Sequence, residues 1–301
     1  GDSFLLVRRQ HNLSFGGEYR RNLNNNLTYQ NARVAYTFSG VATSLYDGRG
    51  FPVGNTGFDL ADFLLCAERL ADDGQTAEAA AVYRKLFSDA DGDAVIKTAA
   101  LRGILLAEKD QAADVAIGAL KDANADLRRS AAKLVCEGCC PKLIGAVFAG
   151  LSSLPADAQA ALLDLVNDPA ALPTVLAATK SGDEAVRTAA LGALARIGDA
   201  ASATLLLETA AGGSGAPQAA ARQSLQRVRG AEVDAALVAA AQAGESQLRT
   251  EAIRTLAARS AVSAVPVLLK AAEDANEAVR IESLGALGTL ASGETLPALV
   301  Q

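Results

Sequence analysis

The stretch CEGCC places Cys136, Cys139 and Cys140 within five residues. Closely spaced thiolates are half of a structural zinc site, which takes four N or S ligands, usually as two separated pairs. Here a fourth ligand is missing, because the remaining cysteine, Cys66, is far away along the chain. Covalent haem attachment needs C-x-x-C-H, and Cys140 stands where the His belongs. The same residues also read as small apolar side chains closing a helix, with Gly138 as its cap and Pro141 opening the next. Cys136, Cys139 and Cys140 are therefore the candidates for metal or redox chemistry, and packing is the simpler use of them. No cofactor is expected.

Acid–base and nucleophilic chemistry find little material. His11 is the single histidine, so no Ser-His-Asp or Cys-His arrangement is available to the rest of the chain. No G-x-x-x-x-G-K-[ST] occurs, and GGSG at Gly212 follows no strand, so it reads as a link rather than a phosphate loop. The chain is expected not to be an enzyme.

Basic side chains are more regular. VRTAALGAL at Val186 recurs as IKTAALRGI, LRRSAAKLV, LRTEAIRTL and VRIESLGAL, with weaker copies AQAALLDLV and AARQSLQRV. Anchored on the second residue, the copies fall at Lys97, Arg128, Gln159, Arg187, Ala221, Arg249 and Arg280, at intervals of 31, 31, 28, 34, 28 and 31 residues. The column Lys97, Arg128, Arg187, Arg249 and Arg280 is expected to be structural. The copies resemble HEAT-like repeats, and that resemblance implies that each base pairs with an acid of its own or a neighbouring repeat, Asp183 with Arg187 being the best placed. Positions one and five after each anchor share a helix face. They include Arg102, Arg129, Lys133, Arg222 and Arg254 against one acid, Asp164. That face would form a basic groove for an acidic protein partner, since a one-signed concave wall attracts the opposite sign. A nucleic-acid backbone is not the expected partner, given a formal charge of −6. No small-molecule substrate is evident.

These residues need helices to carry them. Apolar residues recur three and four apart in the copies and in the segments between them, AADVAIGALKDA, PKLIGAVFAGL, ALPTVLAATKS and their like. Each repeat is then two helices with buried stripes. Asp93, Asn124, Asp183 and Asn276 sit four residues before their anchors and suit N-cap positions. Pro217 would lie near a helix start. One pair of about 30 residues cannot bury both faces, so the pairs must stack. The pattern D-x-x-[VL]-R-x-x-A-[LI] resembles HEAT-like repeats of the short type, also found in phycobilin lyases, from about Lys97 to Gln301. That resemblance implies a right-handed α-solenoid whose second helices line its concave side. Bilin-lyase activity is a further implication, opposed by the shortage of acid–base groups. Before the repeats, CAERLADDGQTAEAAAVYRKLFSD (66–89) resembles a tetratricopeptide hairpin at Leu70, Gly74, Ala80 and Tyr83. TLPALVQ at the far end reads as the opening of one more repeat.

Residues 1–65 differ. Ten of the thirteen Phe and Tyr lie there, with no Lys, and the segment carries +1 against −7 for residues 66–301. In NLSFGGEYRRN, Leu13, Phe15 and Tyr19 alternate with Ser14, Glu18 and Arg20, as in a strand with one apolar face. Val34, Tyr36 and Phe38 repeat the pattern, and glycines from Gly40 to Gly57 read as loop. HNLSFGGEYRRN, ARVAYTFSG and GFDLADFLL, in that order, resemble the barrel of TonB-dependent outer-membrane receptors of the carboxypeptidase-regulatory-like subgroup. The resemblance implies an outer-membrane address for that family, the only route by which a membrane enters; the repeats imply no compartment. The expected fold is mainly α: a short β or irregular segment over 1–65, then a HEAT-like solenoid over 66–301. The Leu65/Cys66 junction reads as the seam of a fused chain. No run of about 18 apolar residues suggests a membrane helix.

Overall fold

The computed structural model describes residues 3–8, 11–16, 59–89, 93–137 and 140–290. Expectations on Val34–Phe38, the glycine loop, Gly138, Cys139 and TLPALVQ lie outside these residues. The chain divides into two compact units, Gly1–Lys109 and Asp110–Gln301.

In the first unit, strands β1 (Ser3–Arg8) and β2 (His11–Gly16) pair antiparallel, with Leu6 opposite Leu13 and Arg8 opposite His11. β2 lies where the alternation of Leu13 and Phe15 places a strand. Its partner is SFLLVR, a run without clean alternation. A two-stranded ribbon is a common local motif and is marginal alone, so the pairing carries no evidence of barrel origin. Helix α1 (Asp59–Asp72) runs straight through Leu65/Cys66, where the composition changes. It is followed by α2 (Thr76–Asp89) and α3 (Ala94–Glu108). Gly74 turns the chain between α1 and α2 with φ of +79°, a conformation that glycine enters without a Cβ clash. Tyr83 is buried and lies against Gly103 of α3. A Cβ on Gly103 would fall 2.4 Å from the Tyr83 ring, so glycine is what lets α2 and α3 approach. Arg84 clamps the same pair, its Nε and Nη2 donating to the Glu108 carboxylate at 2.7 and 2.5 Å.

Among the described residues, the second unit holds six helix pairs. They are α4 (Ala113–Leu120) with α5 (Ala125–Glu137), α6 (Pro141–Ala149) with α7 (Ala156–Leu165), and α8 (Leu172–Ala178) with α9 (Glu184–Ile197). Then follow α10 (Ala200–Gly212) with α11 (Gly215–Arg227), α12 (Ala231–Ala243) with α13 (Ser246–Ala258), and α14 (Val265–Ala271) with α15 (Glu277–Leu290). Second helices pack on second helices, α5 on α7, α7 on α9, α9 on α11, α11 on α13 and α13 on α15. The core explains the stacking. Three and seven residues after each anchor the side chain is buried in all six second helices, as with Ala131 and Val135, or Ala190 and Leu194. Four residues after, it is buried in α5, α7, α9, α11 and α13, where the next second helix covers it, and open at Leu284 of α15.

The caps fall where they are expected. Asp93 accepts from Val95 and Ile96, Asn124 from Asp126 and Leu127, Asp183 from Val186, and Asn276 from Ala278 and Val279. Pro141 opens α6 and Pro217 lies in the first turn of α11. Asp199 adds a capping box with Ser202 at the start of α10. No described helix is long and apolar enough to cross a membrane.

Candidate functional site

Arg128, Arg187 and Arg280 of the anchor column bond backbone carbonyls, and the acids that meet the column, at Arg128 and Arg249, come from the neighbouring repeat. Arg187 Nη1 donates to the carbonyls of Ser181 and Gly182 at 2.7 and 2.9 Å rather than to Asp183, whose carboxylate is engaged by the Val186 amide. Arg128 does the same with Asp122 and Ala123, and Arg280 with Asp274 and Ala275. Each guanidinium thus reaches back six and five residues to carbonyls left open where the first helix of the pair ends. Gln159 keeps the role with a shorter arm, its amide donating to Leu154 O at 2.8 Å. Arg249 departs from the pattern and pairs with Asp274 of the following repeat. Arg128 also grips Asp157 of the next second helix, and that hydrogen bond holds the Asp157 carboxyl below its ordinary range. Lys97, in the first unit, lies 5.8 Å from the Phe87 ring centre.

The expected basic face is largely neutralised. Arg222 donates to Glu251 at 2.8 and 2.9 Å, Glu251 also accepts from Arg254 at 2.9 Å, and Arg254 reaches Glu282 at 3.2 and 2.8 Å. This ladder ties α11, α13 and α15 together at the repeat spacing, with Glu251 only 3% exposed. Glu251 and Glu282 both stand two residues after an anchor, beside the positions chosen for the groove, and their shared offset was the available signal. Arg129 pairs with Asp126 at 3.0 Å and Lys133 with Glu137 at 3.8 Å, each along its own exposed helix face. Arg102 is exposed on α3 and belongs to the first unit. Asp164 shares the α7 face; desolvation raises its carboxyl while Arg196 pulls it down.

Two further arginines carry a function that spacing alone does not reveal. Arg196 of α9 donates to Val166 O and Leu163 O at 3.0 and 2.7 Å, and Arg259 after α13 donates to Leu225 O and Val228 O at 2.7 Å. Both satisfy the carbonyl end of the preceding second helix, roughly one repeat back.

Cys66, Cys136 and Cys140 are free thiols. Cys136 packs near the end of α5 with Sγ 3.8 Å from Leu162 O, and burial pushes its pKa up to about 11. A thiol so placed is a packing residue, not a ready thiolate. Cys140 is the N-cap residue of α6 but its thiol makes no cap hydrogen bond, and Cys139 lies outside the described residues. Among the described residues, no group of three or more His, Cys, Asp and Glu is placed to hold a metal ion.

A cleft of about 450 Å³ opens in the second unit beside α6 and α8. Phe148 and Leu151 form its floor, Pro173, Thr174 and Ala177 of α8 one wall, and Lys180 lies at its rim. Gln159, the shortened polar member of the anchor column, also lines it.

With stacked pairs, their buried columns and their cross-repeat bonds in view, a family model described as HEAT repeats matches residues 152–226 and 234–301. Over these stretches the repeats are HEAT-like. The HEAT match takes in α7, α8 and α9 beside the cleft, but not α6, and includes Arg222, Glu251, Arg254 and Glu282 of the ion-pair ladder. A search of curated proteins finds no match. Solved structures similar to the chain include human deoxyhypusine hydroxylase in complex with glycerol, at 19% identity over 77% of this chain and 91% of the other, with TM-score 0.36. Escherichia coli YibA is similar at 19% identity over 82% and 91%, also with TM-score 0.36. An engineered protein shows 20% identity over 76% and 96%, with TM-score 0.28.

Two expectations are corrected. The chain was expected not to be an enzyme; an enzyme stands among the similar structures, and that expectation is withdrawn. At that identity and TM-score, no activity passes to this chain. Residues 1–65 were expected to derive from a receptor barrel, and the comparisons give that origin, an outer-membrane address and a fused chain no support.

Proposed function

We propose that the chain is a HEAT-repeat scaffold that binds a protein partner along the exposed face of its second helices. The observation that supports this is the regular surface at one and five residues after each anchor. None of those twelve positions in α5, α7, α9, α11, α13 and α15 is buried, whereas three and seven residues after the anchor every side chain is. The core holds the helices rigidly in register, and the outward positions recur about every 30 residues, as a multi-point docking surface requires. A right-handed superhelix would turn this face inward and let a partner touch several repeats at once. The surface is mixed in charge, with Lys133, Asp164, Arg222 and Arg254 alternating with the neutral Thr188, Gln226 and Thr250. The ladder of Glu251 and Glu282 removes the excess of base on which an acidic partner would depend, so the partner surface is expected to be mixed as well.

The test is a photo-crosslinking scan of the full chain in its native cells. Crosslinkers replace Arg129, Lys133 and Gln226 on second helices, and Ala146, Glu208 and Lys270 on first helices, all exposed. One partner recovered from the second-helix sites and absent from the others supports the reading. Adducts from the first-helix sites alone overturn it.

A further inference from the structure

We infer that the cleft beside α6 and α8 is a receptor site for a short extended peptide bearing an apolar side chain next to a carboxylate side chain. This deepens the scaffold reading and rests on it for the partner being a protein.

The floor is apolar and the walls are mixed. Phe148 and Leu151 are 2% and 3% exposed, and Pro173 and Ala177 of α8 stand over them. A space of about 450 Å³ is within the range of sites that engulf a small ligand, and far below a whole protein footprint. It therefore suits one anchoring side chain and its immediate neighbours. The polar lining is confined to Ser152, Gln159, Thr174, Lys180 and Ser181. No acidic residue lines the cleft, although the chain as a whole carries −6. Lys180 is exposed at the rim and forms no ion pair among the described residues. Four other bases of this unit are engaged, Arg128 with Asp157, Arg222 and Arg254 with Glu251, and Arg259 with Asp234. A cleft with an apolar floor, neutral polar walls and an ammonium at its edge complements an apolar side chain followed by a carboxylate. Gln159 contributes by its length. Arg128 and Arg187 hold the equivalent place in neighbouring repeats, and a guanidinium there would add both bulk and a second charge.

The experiment titrates the full ¹⁵N-labelled chain with acetyl-Leu-Glu-Leu-Glu-amide and, separately, with its Leu-Gln-Leu-Gln counterpart. The expected result is saturable shifts confined to residues 148–181 with the glutamate peptide, and binding at least about fivefold weaker with the glutamine peptide. Lys180→Glu is expected to reduce the glutamate peptide to that weaker level. Ala177→Phe, which fills the hole from an exposed position, is expected to abolish both responses with melting unchanged. Equal binding of the two peptides, shifts centred elsewhere, no saturation, or indifference to Ala177→Phe would each overturn the inference. A crosslinked partner on the second helices together with a silent cleft would refute the cleft and leave the scaffold standing.

Discussion

Leu191 and Leu284 occupy the same place, four residues after the anchor, in α9 and α15, yet their surroundings differ. Leu191 is 2% exposed under α11, whereas Leu284 is 59% exposed with no following second helix described. Substituting each by Ala removes the same atoms. Losing about three buried carbons at roughly 0.8 kcal/mol each costs Leu191→Ala about 2.4 kcal/mol, and the cavity left between stacked helices raises this to about 3 kcal/mol. Leu284→Ala forfeits only the buried two-fifths of that transfer energy, about 1 kcal/mol, and leaves no cavity. Urea unfolding followed by far-UV circular dichroism measures both. Because repeat arrays can unfold in parts, hydrogen exchange of the α9 and α15 amides is to be read alongside. Equal losses at the two sites, or a larger one at Leu284, would refute the argument that this column is the contact between successive repeats.

Gly103→Ala should lower the melting temperature by driving a methyl group into the Tyr83 ring, at a cost of about 1–3 kcal/mol, and Tyr83→Leu in the same chain should recover part of it. Glu251→Gln should cost about 1–2 kcal/mol, because Arg222 and Arg254 lose a shared buried carboxylate while remaining partly in water; the loss should shrink in high salt, as the double variant with Arg222→Gln would confirm. Hydrogen bonds from Ser202 hold the Asp199 carboxyl below its ordinary range. A depressed folded value means stability that is full above the unfolded pKa of about 3.9 and is lost as pH falls through the folded one. Asp199→Ala should therefore cost about 1 kcal/mol at pH 6 and flatten the decline in stability below about pH 4; an unchanged acid limb would contradict the cap assignment.

Local signals were legible in the sequence and cross-repeat ones were not. Asp93, Asn124, Asp183 and Asn276 cap helices because a cap depends only on amides two and three residues away. Of the anchors expected to meet an acid, Arg128 and Arg249 meet one from the neighbouring repeat, but the pair nearest in sequence, Asp183 with Arg187, does not form. Asp183 lies close to Arg187 in sequence, yet its carboxylate is bound to a backbone amide, and open carbonyls at Ser181 and Gly182 take the guanidinium. Arg222 and Glu251, or Arg196 and Val166, lie 29 and 30 residues apart, so their meeting depends on the register between helices, which no single helix pattern encodes. The basic groove failed for that reason: counting one face of each helix omitted the acids that neighbouring helices bring to it. At the other end of the chain, alternation located β2, while its partner β1 has apolar residues in succession and no period to read.

The scaffold reading stands or falls on where a partner touches the chain. The decisive measurement is the dissociation constant of the crosslinked partner for the full chain and for a variant carrying Lys133→Trp and Gln226→Trp, two exposed second-helix positions five residues after their anchors. The account predicts a rise of at least about tenfold, about 1.4 kcal/mol, with melting unchanged. An unaltered constant in a folded variant would contradict it.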